Sequence, residues 1–75
     1  MPVTVKFFAS LREQLGIDEV QLDAASTVLE AWQLASGQQS LPPHTLCAVN
    51  MDYATAEQAV RDGDEVAFFP PVTGG

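Results

Sequence analysis

Thr27-Val28-Leu29-Glu30-Ala31-Trp32-Gln33-Leu34-Ala35-Ser36-Gly37 decides the fold. Thr27 and Glu30 stand in the T-x-x-E spacing of a capping box, where hydroxyl and carboxylate satisfy the free N–H groups at a helix start. Val28, Ala31, Trp32 and Ala35 follow at helical spacing and form one apolar stripe. Leu29 flanks that stripe and Leu34 lies off it. Gly37 ends the helix, because glycine takes up the left-handed conformation at low cost. A helix with one apolar stripe needs a surface to cover, with Trp32 as its largest contribution. The segments on either side supply strands.

Upstream, residues 2–8 alternate with period two: Val3, Val5 and Phe7 toward a core, Thr4, Lys6 and Phe8 away from it. Ser10 and Glu13 repeat the capping-box spacing. Leu11 and Leu15 share a face and Gly16 stops the chain, which predicts a short helix over residues 11–15. Glu19 to Leu22 reads as a second strand with Val20 and Leu22 inward and Ile17 packed near its start. Downstream, residues 38–45 contain Pro42-Pro43 and read as a loop. Residues 46–50 read as a third strand, followed by a turn at Met51-Asp52 and a short strand from Tyr53. Residues 57–60 have the pattern of one helical turn. Asp62-Gly63-Asp64 signals a turn. The last strand, residues 65–69, places Val66 and Phe68 on one face and Ala67 and Phe69 on the other, and Pro70-Pro71 ends it. The order β-α-β-α-β-β-β predicts an α+β domain over residues 1–69, with the main helix packed across one face of a sheet. Residues 70–75 are left as an extended tail.

The chain has 75 residues, one cysteine and one histidine. Neither an internal disulfide nor a four-ligand structural zinc site can be built from that set. Stability must come from apolar burial, for which 47% hydrophobic residues provide the material. Net charge is −7, and Lys6, Arg12 and Arg61 are the basic residues. Such a surface cannot neutralise phosphates, so nucleic acid and anionic membranes are excluded as expected partners. A basic protein partner is the reading the charge favours. Residues 2–8 begin directly as a strand, without the basic and apolar regions of an export signal, and no apolar run reaches the length of a spanning helix. With a lone thiol, the expected compartment is the cytoplasm.

The side chains offer little chemistry. Neither a Ser-His-Asp nor a Cys-His arrangement has a local signature, and phosphate loops and metal-ligand spacings are missing. Asp62, Asp64 and Glu65 sit in a turn, where solvated acids are ordinary. Cys47 lies between Leu46 and Ala48 in a strand with no basic neighbour, the setting of a buried structural thiol. His44 falls in the proline loop. What stands out is Phe69-Pro70-Pro71-Val72-Thr73-Gly74-Gly75. The prolines favour an extended stem, and residues 70–75 can span about 20 Å. Gly74 and Gly75 have no side chains, so this tip can enter a narrow channel in a partner. A stiff stem and slim tip suit delivery of a group carried on the Gly75 carboxyl.

Asp62-Gly63-Asp64-Glu65-Val66-Ala67-Phe68-Phe69-Pro70-Pro71-Val72-Thr73-Gly74-Gly75 closely resembles the C-terminus of the small, sulfur-carrying subunits of molybdopterin synthase. Val5-Lys6-Phe7-Phe8-Ala9-Ser10-Leu11-Arg12-Glu13 and Ala48-Val49-Asn50 also resemble that family's patterns, so the likeness covers essentially the whole chain. It implies the β-grasp, ubiquitin-like fold. It implies that an adenylating enzyme related to ubiquitin-activating enzymes uses ATP on the Gly75 carboxylate, and that a sulfur donor protein then converts it to a thiocarboxylate. The large synthase subunit would take in Pro70, Pro71, Val72, Thr73, Gly74 and Gly75, and the terminal sulfur would attack a cyclic pyranopterin precursor in molybdenum cofactor biosynthesis. The implied assembly is a heterotetramer of two small and two large subunits. The implied catalytic groups are on the large subunit, and neither a bound cofactor nor a metal is expected here.

The resemblance also bears on Phe8 and Phe69, whose family equivalents lie in a hydrophobic docking surface. Tyr53 is a third aromatic out of phase with the core. Phe8, Tyr53 and Phe69 are therefore expected to form one exposed patch for a partner. The alternative is that Phe8 and Tyr53 cover a secondary core under a loop. Three other functions share the Gly-Gly signature or ignore it: a sulfur carrier for thiamine biosynthesis, a ubiquitin-like modifier conjugated to lysines, and an interaction module with an idle tail. The Phe-Phe-Pro-Pro-Val stem argues against the first.

Overall fold

The computed structural model describes residues 2–71. Among them the elements run β1 (Val3–Phe7), α1 (Ala9–Leu15), β2 (Glu19–Leu22), α2 (Val28–Ser36), β3 (Leu46–Val49), β4 (Asp52–Ala54) and β5 (Glu65–Phe69). The strands form one mixed sheet in the order β2-β1-β5-β3-β4. β1 and β5 are parallel neighbours at its centre, with Val5 opposite Val66 and Phe7 opposite Phe68. The remaining pairs, β1 with β2, β5 with β3 and β3 with β4, are antiparallel. With α2 across one face this is the β-grasp arrangement, an α+β fold.

The period-two reading of β1 and β5 accounts for the core. Val3, Val5, Phe7, Val66 and Phe68 are all buried and point to the helix side, where Val28, Ala31, Trp32 and Ala35 meet them. Trp32 sits at the centre. Its ring meets Phe68 edge-on at 5.1 Å and Phe7 edge-on at 5.7 Å, the favoured offset between ring edge and ring face. The indole N–H donates to the Ser40 carbonyl at 3.0 Å. The residue that fills the core thus also fixes the proline loop. Ile17, Val20 and Leu22 pack against the core edge.

The α2 start is capped largely as its sequence predicts. Thr27 Oγ1 accepts from the Glu30 N–H at 3.1 Å. The return bond goes one residue further back: the Ser26 N–H donates to Glu30 Oε1 at 2.6 Å. Gly37 closes the helix at φ 78°, donating its N–H to the Gln33 carbonyl.

Three local expectations are corrected. The first helix begins at Ala9, with Phe8 as N-cap and no side-chain cap, so the Ser10–Glu13 box does not form. The cause is the ladder: the Phe8 N–H still donates to the Phe68 carbonyl at 3.1 Å. The chain must turn at once, and Ala9 does so at φ 53°. Phe8 accordingly leaves β1, which ends at Phe7. Residues 57–60 form no helical turn. Their backbone pairs with the start of α2 and the segment before it, the Val28 N–H donating to the Gln58 carbonyl and the Val60 N–H to that of Ser26. Finally, the β3–β4 turn is Asn50-Met51 rather than Met51-Asp52, with φ 50° and 73°.

Candidate functional site

The sheet face away from α2 carries the site. One row of cross-strand partners crosses four strands: Tyr53 opposite Ala48, Ala48 opposite Ala67, Ala67 opposite Lys6. The middle of the row is two methyl groups, and its neighbours are large. The result is an open apolar groove of about 300 Å³ lined by Phe8, Ala48, Met51, Tyr53, Glu65, Ala67 and Phe69. Ala48 is buried yet stands apart from the core cluster, because it lies beneath this groove rather than under α2.

Phe8, Tyr53 and Phe69, expected to gather, do gather. Phe8 is 44% exposed and Tyr53 76%. The Tyr53 and Phe69 rings lie 6.1 Å apart, tilted by 49°. No loop covers them, so the secondary-core alternative does not hold. Met51 is 90% exposed and joins the rim. Sequence reading had it only as a turn residue, and nothing in its spacing signalled the groove. Ala48 and Ala67 were legible only as small residues in strands.

Polar groups border the groove. Lys6 Nζ lies 3.3 Å from Glu65 Oε1, on a pair that is more than a third exposed; such surface pairs contribute little to stability. At the groove's hairpin end, the Arg61 backbone N–H donates to Asp64 Oδ2 at 2.9 Å and Asn50 Nδ2 to Oδ1 at 3.0 Å. These bonds, helped by the Arg61 charge, hold the Asp64 carboxyl below its ordinary value. Asp64 thus locks its own turn to the β3–β4 turn, while the Glu65 side chain pairs with Lys6. Cys47 is buried on the core side, and desolvation pushes its thiol up, which keeps it protonated and unreactive. Among the described residues no group of three or more His, Cys, Asp or Glu could hold a metal ion, and no helix is long and apolar enough to cross a membrane.

Phe69 is the last residue of β5 and part of the groove. Pro70 follows, half-buried, and then Pro71, exposed. Val72, Thr73, Gly74 and Gly75, expected to carry and present the reactive carboxyl, lie outside the described residues.

Known proteins share this chain's sequence and shape. The model of the ThiS family matches residues 5–75. The molybdopterin synthase sulfur carrier subunit of Haemophilus influenzae is 40% identical, the match covering 97% of this chain and 99% of that one. Its namesake from Escherichia coli K12 is 39% identical over the same shares. The crystal structure of SAMP1 from Haloferax volcanii, a small archaeal modifier protein, matches with a TM-score of 0.82 at 30% identity, covering 100% of both chains. By its sequence over nearly full length, and by a five-stranded β-grasp sheet that these relatives' likeness extends to, the chain belongs to the ThiS family.

Proposed function

We propose that this protein is a sulfur carrier for molybdenum cofactor biosynthesis, acting as the small subunit of a molybdopterin synthase. The observation that carries the proposal is the continuity of groove and tail: β5 contributes Ala67 and Phe69 to the exposed apolar groove and runs directly into Pro70 and Pro71. A partner that covers the groove therefore receives the tail at a fixed starting point. The names of the relatives at 39–40% identity support the same reading over a thiamine carrier.

The chemistry needs only a carboxylate on this chain. A Gly75 carboxylate oxygen attacks the α-phosphorus of ATP on an adenylating enzyme, and pyrophosphate leaves. A hydrosulfide equivalent from a sulfur donor protein attacks the acyl carbon, and AMP leaves, giving the thiocarboxylate. Gly74 and Gly75 then enter the large subunit, whose groups direct the terminal sulfur onto the cyclic pyranopterin precursor; water cleaves the resulting thioester, leaving the sulfur on the pterin and returning the Gly75 carboxylate. The assembly is a heterotetramer in the cytoplasm. Charge fits the partner as well: at −7 this surface suits a basic face on the large subunit.

Docking is tested by titrating the chain with the large synthase subunit in a calorimeter. Burying a phenylalanine side chain is worth about 1.5–3 kcal/mol. Phe69 is already partly buried in the free chain, so docking gains at most about a third of that, and Phe69→Ala should weaken the complex by about twofold to sixfold while circular dichroism stays that of the folded domain. A wild-type chain that forms no complex, or a Phe69→Ala chain that binds as well as wild type, would contradict the docking reading. A second reading, a modifier joined to lysines of target proteins, is favoured by the likeness to SAMP1; it predicts isopeptide-linked adducts in place of a thiocarboxylate.

A further inference from the structure

Asn50 and Met51 form the two-residue turn between β3 and β4, and both have positive φ, 50° and 73°. Such turns match the twist of a hairpin, and they are usually built with glycine or asparagine. Methionine has no intrinsic preference for the left-handed region. Something outside the turn must hold it there, and the holding groups are visible. Asn50 Nδ2 donates to Asp64 Oδ1 at 3.0 Å, and the Glu65 N–H donates to Asn50 Oδ1 at 3.0 Å. The Asn50 N–H donates to the Glu65 carbonyl at 2.8 Å. The side-chain amide thus uses both ends on two successive residues of another segment. The anchor is itself fixed: Asp64 Oδ2 accepts from the Arg61 N–H, and its carbonyl accepts from the Thr4 N–H at 3.0 Å, beside the central strand.

We infer that Asn50 is a positioning residue for the docking groove: its amide bolts the β3–β4 hairpin to the start of β5 and so holds Met51 and Tyr53 at the groove's rim. The assignment rests on the proposed docking of the large subunit in that groove. β4 is an edge strand of three residues, paired only to β3, so the hairpin tip has little else to orient it. Met51 and Tyr53, the most exposed of the groove's lining residues, sit on that hairpin. Glu65 joins the bolt through its backbone and lines the groove with its side chain. The docking surface and its lock therefore share residues.

Exchanging the two side chains tests the inference. Asn50→Asp alone sets two carboxylates against each other and removes the donor. Asn50→Asp with Asp64→Asn restores every bond, with only the bond between the two side chains reversed: the new amide donates to residue 50 and still accepts from the Arg61 N–H, and the new carboxylate still accepts from the Glu65 N–H. Net charge is the same as wild type. Each chain, confirmed folded by circular dichroism, is titrated with the large subunit, and its Met51 methyl and Tyr53 ring signals are followed by NMR in the free state. Asn50→Asp, and Asn50→Ala without the repulsion, should weaken binding about tenfold, and the Met51 methyl and Tyr53 ring signals should shift away from their wild-type positions. The exchanged pair should return affinity to within about twofold of wild type, with the methyl signal restored. Unchanged Met51 and Tyr53 signals in Asn50→Ala, or an exchanged pair as weak as the single variant, would overturn the inference. A purely structural role would lower the melting temperature and leave the folded chains' affinity at the wild-type value. If the wild-type chain itself fails to bind the large subunit, the docking reading falls, and the NMR comparison still decides whether Asn50 holds the rim.

Discussion

Phe7 and Phe8 are the same residue type one position apart, and the fold uses them in opposite ways. Phe7 is 1% exposed and stacks on Phe68 at 5.8 Å. Phe8 lines the groove on the other side of the sheet. Period-two alternation separates the two from sequence alone, because β1 is pinned on both sides by neighbours. The consequence is a measurable split. Phe7→Ala removes a fully buried ring and should cost about 3–5 kcal/mol, a large part of the stability of a small domain. Phe8→Ala should leave the melting temperature within a few degrees and weaken binding to the large subunit. Thermal melts alongside calorimetry check both, and a Phe8→Ala chain that unfolds would place that ring in a core. Residue-level reading failed at Ser10. Its spacing to Glu13 suits a cap, yet the hydrogen bond from the Phe8 N–H to Phe68 dictates where the chain can turn. Local chemistry could not reveal a constraint imposed by β5.

At the scale of elements, α2 was the most legible segment and the short pieces after β4 the least. A capping threonine, four stripe residues and a terminal glycine all specify the same helix, and the structure gives Val28–Ser36. The Thr27 hydroxyl is the testable part of that agreement. Thr27→Ala leaves the Glu30 N–H without its acceptor and should cost about 1 kcal/mol, seen as a melting point lower by about 4–8 °C. An unchanged melting point would mean that Glu30 and Ser26 alone satisfy the helix start. Residues 57–60 were read as a helical turn because four residues carry too little periodicity to separate the alternatives. Their partner is the segment around Thr27, with Ala59 bridging it, and no pattern within the four residues encodes that. The groove was half-legible for a related reason. Its aromatic walls follow from strand phase. Its alanine floor needs the register of β3 against β5, and Met51 enters only through the geometry of a turn.

For the molecule as a whole, the parallel pairing of β1 with β5 is the organising fact. It brings residues near one end of the chain beside residues near the other, with Lys6 opposite Ala67 and Phe7 opposite Phe68. Phe8 and Phe69 share one groove for that reason, and the same strand order leads β5 into the proline stem. Among the described residues the side chains on this side of the sheet form an exposed apolar groove, the face proposed to dock the partner. The carrier chemistry was read from the tail's composition and its family likeness, since packing and spacing by themselves describe only a stable small domain with an apolar face. The most direct measurement is the intact mass of the chain after incubation with the adenylating enzyme, ATP and a sulfur donor. The account predicts a gain equal to one oxygen replaced by one sulfur, located on the peptide ending in Gly75 and lost when Gly75 is deleted. An unchanged mass, with the same enzyme shown active on another carrier, would contradict it.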